Sequence, residues 1–329
     1  MAISGNVYSG KQFELFLSLQ TGASTPVNMG TAGAVNGEFV KLDMASISDV
    51  DFSGITQERT LRTGQQIKKP TDHYVSQNGG TYTLGFEWVV SHKEGLQKLM
   101  QLISEDTASD YDVAGTFSPA VYKDSASTGQ LATLIISNPN TGDDRVFHSA
   151  ALTELNLSMD VGTEGGRLVV SGTFFTGYNP TLGTNTVAPS GTQTSYKKTL
   201  FDCSTKQFKE ASTNQDVVMR SFNLAIGYPC VVVGSGANAE AYARSDEYTA
   251  SGSANIKYDG NTDGMIAHFL DGSEKVITVG DGSTIDFSLP QVVYAGYNLS
   301  LDDAEGAFVE IPFECVADGS ELLYSIKVA

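Results

Sequence analysis

The stretch Asn156-Leu157-Ser158-Met159-Asp160 recurs almost unchanged as Asn298-Leu299-Ser300-Leu301-Asp302. In both copies polar and apolar residues alternate, and this period of two is typical of a β-strand with one buried side and one side in water. An acidic residue and a glycine follow each copy, and then a second apolar strand begins. Two copies of one strand–turn–strand unit in matched surroundings predict that the chain carries a duplicated β-module.

The residues that precede the two copies also match. In both halves of the chain a strand, a long polar loop, a second strand and a helix come before the repeated stretch. These elements are predicted at 46–52, 81–88 and 93–104 in the first half and at 219–233, 253–258 and 264–270 in the second. Thr262 or Asp263 is the predicted cap of the second helix. The sequence therefore predicts a mainly β protein with a minor α component, made of two tandem β-sandwich or half-barrel modules that each have one flanking helix.

Composition sets the predicted module boundaries. A segment near 178–197 is rich in Thr, Gly, Asn and Pro and has no periodic apolar face, which is typical of a linker. We predict a first module over residues 1–180, a linker over 181–198 and a second module over 199–329. The first module has additional residues near 105–145, which are predicted to form an outward insertion.

Length, charge and cysteine content exclude several classes of protein. With 329 residues the chain is long enough for two domains that each bury a core. Its formal net charge of −18 disfavours a protein that grips DNA or RNA. Its three cysteines lack metal-ligand spacing and its first residues lack a signal-peptide pattern, which predicts synthesis in a reducing cytoplasm. No apolar run approaches the roughly 18 residues that cross a bilayer, so no membrane partner is predicted.

Two glycine-containing segments suggest ligand sites, and each also has a structural explanation. Residues 231–239 (VVVGSGANA) resemble the G-x-G-x-x-A dinucleotide fingerprint, but no long helix of a βαβ unit follows, so a loop between strands is the preferred interpretation. Residues 259–264 (DGNTDG) match the first half of a calcium loop, but the twelfth position is Leu270 instead of glutamate. Turn formation and helix capping explain the same residues.

Residues with catalytic potential are sparse. The four histidines are scattered, and neither an H-E-x-x-H pair nor a G-x-S-x-G motif occurs. Carboxylates are abundant, but in an acidic β protein most of them are solvated. We therefore predict no enzymatic activity, no catalytic residue, no metal site and no cofactor.

The polar residues of the repeated strands share one strand face. They are Glu154, Asn156, Ser158 and Asp160 in the first copy and Asn298, Ser300 and Asp302 in the second. One interpretation is the ordinary solvent-facing side of a sheet. The other is a negative wall along which another molecule passes without binding.

A basic loop stands out in this acidic chain. Residues 55–78 contain Arg59, Arg62, Lys68 and Lys69. Opposite charges on two protein surfaces favour their association, so this loop suits the acidic surface of another copy.

Taken twice, the order of strand, long polar loop, strand, helix and two closing strands resembles the tail-tube proteins of long-tailed bacteriophages. One variant of that family fuses two tube modules in a single chain. The turn at 280–284 (GDGST) before 287–290 (FSLP) is also similar to turns of phage structural proteins. The resemblance rests on architecture and covers most of the chain, except for the linker and residues 105–145.

The resemblance implies a structural protein of the virion tail, assembled in the host cytoplasm. Its modules would join the sheets of neighbouring copies into a closed barrel, and a two-module chain would form three-subunit rings of quasi-sixfold shape. The stacked rings would form a hollow tube through which double-stranded DNA passes without specific binding. The implied partners are further copies of the chain and other tail proteins such as the tape measure and the terminator.

The resemblance also assigns candidate site residues. The implied bore-lining residues are Glu154, Asn156, Ser158, Asp160, Asn298, Ser300 and Asp302, with Asp49 and Asp51. The implied ring-to-ring contacts are Arg59, Arg62, Lys68 and Lys69, with Arg244 in the equivalent second loop. The alternative function is a virion or cell-surface β-sandwich binding module, in one version calcium-dependent, which would not self-assemble.

Overall fold

The structure is a computed structural model. It describes residues 13–20, 39–42, 46–51, 56–58, 74–76, 81–104, 131–138, 143–162, 166–178, 180–183, 207–210, 217–233, 241–244, 247–260, 262–280, 285–301, 306–317 and 323–328.

The described part of the chain is mainly β, as predicted from the alternation. The elements of the first half are β1 (Glu14–Gln20), β2 (Val40–Leu42), β3 (Ser46–Asp51), β4 (Thr56–Glu58), β5 (Tyr74–Ser76), β6 (Tyr82–Val89), α1 (Lys93–Ser104), β7 (Leu131–Asn138), β8 (Asp143–Asp160), β9 (Leu168–Thr176) and β10 (Thr181–Gly183). Those of the second half are β11 (Gln207–Glu210), β12 (Val217–Gly227), β13 (Cys230–Val233), β14 (Ala241–Arg244), β15 (Thr249–Lys257), a 3₁₀ turn (Thr262–Gly264), α2 (Met265–Asp271), β16 (Lys275–Gly280), β17 (Ile285–Tyr294), β18 (Asn298–Ser300), β19 (Phe308–Cys315) and β20 (Ser325–Val328).

Eight strands form one continuous part of a large antiparallel sheet that includes both halves of the chain. Their order is β3-β6-β9-β8-β12-β15-β19-β18, and we call these eight strands the wall sheet. The halves meet where β8 pairs with β12, from Asp160 opposite Ser221 to Glu154 opposite Gly227. The N-terminal part of β8 lies outside the wall sheet and pairs with β7 and β10.

The core lies on one side of the wall sheet. Alternate residues of β8 and β12, such as Leu157 and Leu224, are fully buried and belong to one apolar cluster that extends through both halves. Burial of each such side chain stabilises the fold by about 1.5–3 kcal/mol. The β8–β12 junction is therefore held by packing as well as by backbone hydrogen bonds.

The two halves repeat one pairing pattern. β1 pairs with β7 as β11 pairs with β16, and β6 pairs with β9 as β15 pairs with β19. β10 pairs with the beginning of β8 as β20 pairs with the beginning of β17. The single long strand β8 thus corresponds to β17 and β18 together, which are separated by residues 295–297. This correspondence supports the proposal of a duplicated module.

Strands occur in two segments that were predicted as a linker and as an outward insertion of the first module. β10 occupies the first three residues of the predicted linker over 181–198, of which residues 184–198 lie outside the described residues. β7 and the beginning of β8 fall within the predicted insertion near 105–145, of which residues 105–130 are not described. Because β7 pairs with β1 and β8, its residues lie in the sheet.

The two helices differ in how they are anchored. The prediction of a helix over 93–104 is confirmed by α1, whose apolar side chains, such as Leu96 and Leu99, are fully buried. The predicted capping of α2 is wrong: its N-cap is Gly264, which makes no side-chain cap. The hydroxyl of Thr262 instead bonds the backbone N–H and C=O of Asp259, both at 2.8 Å, and closes the preceding turn. Neither described helix is long and apolar enough to cross a membrane.

Candidate functional site

One side of the wall sheet carries mainly polar residues. Residues directly opposite each other on neighbouring antiparallel strands point to the same side of a sheet. Asn156 on β8 lies opposite Ser171 on β9 and Ala225 on β12. Ala225 in turn lies opposite Ser251 on β15, which lies opposite Glu314 on β19. We call this side the polar face.

The polar face includes the predicted residues whose side chains are described. Its described polar members by register are Ser46, Thr83, Glu87, Ser171, Thr173, Glu154, Asn156, Ser158, Asp160, Ser221, Asn223, Thr249, Ser251, Ser253, Asn255, Lys257, Glu310, Glu314, Asn298 and Ser300. Asp302 lies outside the described residues. For Asp49 and Asp51 only the backbone is described, and it forms part of β3.

The sequence did not identify the contribution of β12 and β15 to this face. Asn223 and Ser253 lie in strands that the alternation had predicted, whereas Ser251 precedes the predicted strand 253–258 and belongs to β15 in the structure. Their position beside β8 follows from pairing between the halves, and alternation within one strand carries no information about its neighbour.

Side chains of the polar face bond to neighbouring strands. Asn223 Oδ1 accepts hydrogen bonds from the Ser253 backbone N–H at 2.5 Å and from the Ser253 hydroxyl at 3.1 Å. The Ser158 hydroxyl donates to the Val169 carbonyl at 3.5 Å. Polar groups that are satisfied within the sheet gain little from a passing ligand. These side chains therefore contribute little to binding another molecule.

The charge of the polar face is mainly negative. Among the described side chains, the strand registers place five acids and one base on this face: Glu87, Glu154, Asp160, Glu310, Glu314 and Lys257. Two arginines lie at the Asp160 end, where Arg167 lines a shallow depression beside Asp160 and the Arg220 guanidinium lies 5.3 Å from the centre of the Phe308 ring. An acidic surface of this kind repels a polyanion.

Three shallow, open depressions lie along the polar face. One is lined by residues that include Glu87 and Asp160, another by Glu154 and Thr173, and a third by Ser251 and Glu314. Within the described ranges, no group of three or more potential metal-ligating side chains occurs. The face is therefore an extended polar surface that has shallow relief.

Each end of the wall sheet is formed by a strand with one described neighbour. Within the part of the chain that the structure describes, β18 pairs only with β19 and β3 only with β6. Leu299 and Leu301 are 41% and 72% exposed, whereas the residues at the matching positions of β8, Leu157 and Met159, are 0% and 1% exposed. The repeated sequence is nearly identical, so its surroundings cause the difference: β12 covers β8, and no described strand covers β18.

The predicted ring-to-ring residues lie mostly beyond the described ranges. Arg59, Arg62, Lys68 and Lys69 fall between β4 and β5, which pair with each other in a hairpin. The backbone of Arg244 forms the end of β14, opposite Cys230. The contacts assigned to these residues therefore stay a prediction.

The dinucleotide-like segment joins two antiparallel strands. β13 and β14 pair from Cys230 opposite Arg244 to Val233 opposite Ala241. The fingerprint requires a strand, a helix and a parallel strand, whereas the glycines here lie between the strands of a hairpin. This geometry agrees with the predicted inter-strand loop.

The calcium-like loop uses its oxygen atoms internally. Asp259 Oδ1 accepts a hydrogen bond from the Thr262 N–H at 3.2 Å, and Asp263 Oδ1 accepts one from the Tyr258 hydroxyl at 3.0 Å. These bonds occupy carboxylate oxygens that a calcium ion would need.

Removal of divalent cations should therefore leave the stability of the protein unchanged. Calcium stabilises a folded protein in proportion to its binding, so a loop that does not bind it gives no shift. The measurement is the melting temperature in excess EDTA and in millimolar calcium. A calcium-dependent increase that Asp259→Asn abolishes would contradict this expectation and would favour the binding-module function.

No protein-family model matches this chain, and no curated protein matches it either.

Proposed function

We propose that this chain is a structural virion protein, the tail-tube subunit of a long-tailed bacteriophage, whose stacked rings form a hollow tube for double-stranded DNA. The observation that carries the proposal is the wall sheet, which continues from one half of the chain into the other and has a mainly polar side. No described strand pairs with the outer side of β3 or β18, and an exposed strand edge invites pairing with another chain.

The β8–β12 junction within the chain supplies a template for the junction between chains. Leu299 lies opposite Val309 as Leu157 lies opposite Val170, so β18 corresponds to the C-terminal part of β8. β3 corresponds to β12, because each is the first wall strand of its half and pairs with the second. Transfer of the β8–β12 pairing therefore places β3 of a second copy antiparallel to β18.

The template also fixes the register of this contact. Leu224 lies opposite Leu157 and Phe222 lies opposite Met159 in the internal junction. At the matching positions, Val50 of a second copy would lie opposite Leu299. The match follows from the pairing across two strands. Val50 lies opposite Leu84, which lies opposite Phe174. Leu224 lies opposite Gly252, which lies opposite Phe313, the residue that corresponds to Phe174.

By the same transfer, Ile47 of a second copy would lie opposite Leu301. The contact would cover Leu299 and Leu301, which are exposed in one chain, and each burial would stabilise by up to about 1.5–3 kcal/mol. A head-to-tail contact of this kind repeats from copy to copy until a ring closes. With two modules in each chain, we propose a homotrimeric ring of pseudo-hexameric shape.

The polar face would line the bore. DNA carries one charge for about every 1.7 Å of its length, so acids such as Glu154, Asp160 and Glu314 would repel it and prevent adhesion. The hydrogen bonds between Asn223 and Ser253 would leave a hydrated polar surface there. We therefore propose that DNA passes through without specific binding.

The proposed partners are other copies of the chain and tail proteins such as the tape measure and the terminator, which set the length and the end of the tube. The place of action is the virion tail, after assembly in the host cytoplasm. The basic residues between β4 and β5 would contact the acidic surface of the next ring.

Electron microscopy of the purified full-length chain tests this proposal. Rings or hollow tubes are expected in negative stain, whereas monodisperse monomers at high concentration would contradict it and favour a binding module. Arg59→Glu with Arg62→Glu should block stacking, because like charges would then face each other between rings. Arg59→Lys with Arg62→Lys keeps the charge and is the control, and normal tubes from the Glu variant would remove this loop from the contact.

A further inference from the structure

A buried polar cluster connects α2 to the sheet of the second half. Glu210, the last residue of β11, is 2% exposed. Its Oε1 accepts a hydrogen bond from the Tyr294 hydroxyl at 2.8 Å and lies 2.7 Å from Nδ1 of His268 on α2. Its Oε2 is also buried and has no hydrogen-bond partner among the described residues. Burial of a carboxylate with so few partners is costly, so apolar packing alone does not account for it.

The first half has leucine at the two matching positions of its sheet. Glu210 of β11 lies opposite Ile277 on β16. The matching residue of the first half is Leu17 of β1, which lies opposite Leu134 on β7. Tyr294 of β17 lies opposite Phe313 on β19. The matching residue of the first half is Leu152 of β8, which lies opposite Phe174 on β9. Leu17 and Leu152 are both 0% exposed.

The helices differ in the same way. His268 is the third residue after the buried Met265 of α2, whereas the third residues after the buried Leu96 and Leu99 of α1 are themselves buried leucines. The first half thus has apolar side chains at the two strand positions and on the packed side of its helix, where the second half has Glu210, Tyr294 and His268.

The rest of α2 contributes little to its own anchoring. Met265 is its buried side chain, while Ile266, Phe269 and Leu270 are 42%, 36% and 75% exposed. α1, in contrast, buries Leu96, Leu99, Met100, Leu102 and Ile103. The contact between His268 and Glu210 is thus a main attachment of α2 to the sheet.

We propose that Glu210, His268 and Tyr294 form a latch, and that α2 is a detachable element whose seating on the sheet depends on it. Release of α2 would expose polar groups that water can hydrate, whereas release of α1 would expose five apolar side chains, which water disfavours. The latch therefore makes α2 easier to release than α1.

The surroundings of the latch keep its polar character. Burial, and then the nearby Glu210, raise the pKa of the Tyr294 phenol far above its usual range, so Tyr294 remains a hydrogen-bond donor. Asp271, on α2 itself, places a second carboxylate near His268. The inference concerns a single chain and does not depend on the proposed tail-tube function.

Hydrogen exchange of the full-length chain, followed by mass spectrometry, tests the latch. Amides of α2 should exchange at least about tenfold faster than those of α1 in the wild type, because local opening costs less. Glu210→Leu leaves His268 and Tyr294 without their partner and should accelerate exchange in α2 at least about fivefold. The triple variant Glu210→Leu, His268→Leu, Tyr294→Leu copies the first half and should slow α2 below the wild-type rate.

A purely structural role predicts a different pattern, in which Glu210→Leu alone already protects α2 by adding apolar contact. That result, or exchange within about twofold of wild type in Glu210→Leu, would overturn the proposal. Tyr294→Phe removes one hydrogen-bond donor with little change in volume and should accelerate exchange in α2 less than Glu210→Leu does. This variant tests the latch if Glu210→Leu fails to fold. Leu270→Gln, on the exposed side of the same helix, is the matched control and should exchange like the wild type.

Discussion

Replacement of Leu299 and Leu301 with aspartate should abolish ring and tube formation and leave a folded single chain. Both side chains are already exposed in one chain, at 41% and 72%, so the change should cost the monomer less than about 1 kcal/mol. In the proposed junction both positions would be covered by β3 of a second copy, and a carboxylate buried there without a partner costs several kcal/mol. Light scattering measures the assembly, and circular dichroism checks the fold.

A matched control comes from the other exposed apolar residues of the chain. Ile266→Asp with Leu270→Asp introduces the same two charges on α2, outside the wall sheet, and should assemble like the wild type. Tubes formed by the Leu299 and Leu301 variant would show that the β18 edge is not the junction.

Cysteine pairs resolve the register of the same junction. Val50→Cys combined with Leu299→Cys should form a disulfide between copies in oxidised assemblies, because directly opposite Cβ atoms lie within about 4.5–5.5 Å of each other. Val50→Cys combined with Leu301→Cys is displaced by two residues, to about 7–8 Å, and should stay reduced. Equal crosslinking of both pairs would contradict the transfer of the β8–β12 register.

The features that could be predicted from the sequence are those with a local signal. Alternation over 81–88 located β6, and the apolar stripe over 93–104 located α1 without error in its bounds. Alternation also placed Asn156 and Ser158 on the side of β8 opposite to the buried Leu157. Each of these signals depends on neighbours within a few residues, which is the range over which helix and strand periods act.

The pairing of β8 with β12 could not be predicted, although it joins the halves of the chain. Strand neighbours are chosen by non-local packing, and the pattern of Met219 to Gly227 fits several partners equally well. The polar residues of β12 and β15 were missed for this reason.

The latch cluster was also missed, and here a signal existed. Phe208 and Glu210 lie on the same, buried side of β11, so the alternation predicts an apolar residue at position 210. A charged residue in the buried phase of a strand is uncommon unless it is paired. Comparison with Leu15 and Leu17 of β1, which occupy the matching positions, would have marked Glu210 as an exception worth testing.

Gly252→Ala should destabilise the second half strongly, although alanine ordinarily suits a strand better than glycine. Gly252 lies in the middle of β15, between Leu224 of β12 and Phe313 of β19. A Cβ atom there would overlap the carbonyl oxygen of Asn223 and would lie 2.8 Å from Cζ of Phe313. The ring of Phe313 is itself held against Phe222, with ring centres 6.2 Å apart, so it cannot move aside freely.

The magnitudes decide the sign of this prediction. Replacing a glycine in a strand raises the free energy of unfolding by roughly 0.5–1 kcal/mol, because the unfolded chain loses entropy. Overpacking against a fixed backbone lowers it by about 3 kcal/mol, so the net loss of stability should be about 2 kcal/mol. Denaturant unfolding measures it, with Gly260→Ala as the control, because a Cβ at Gly260 meets nothing within 4 Å and should leave stability nearly unchanged. If the two variants unfolded alike, the close approach of β12, β15 and Phe313 at Gly252 would be incorrect, and with it the register that carries the polar face from β8 across to β19.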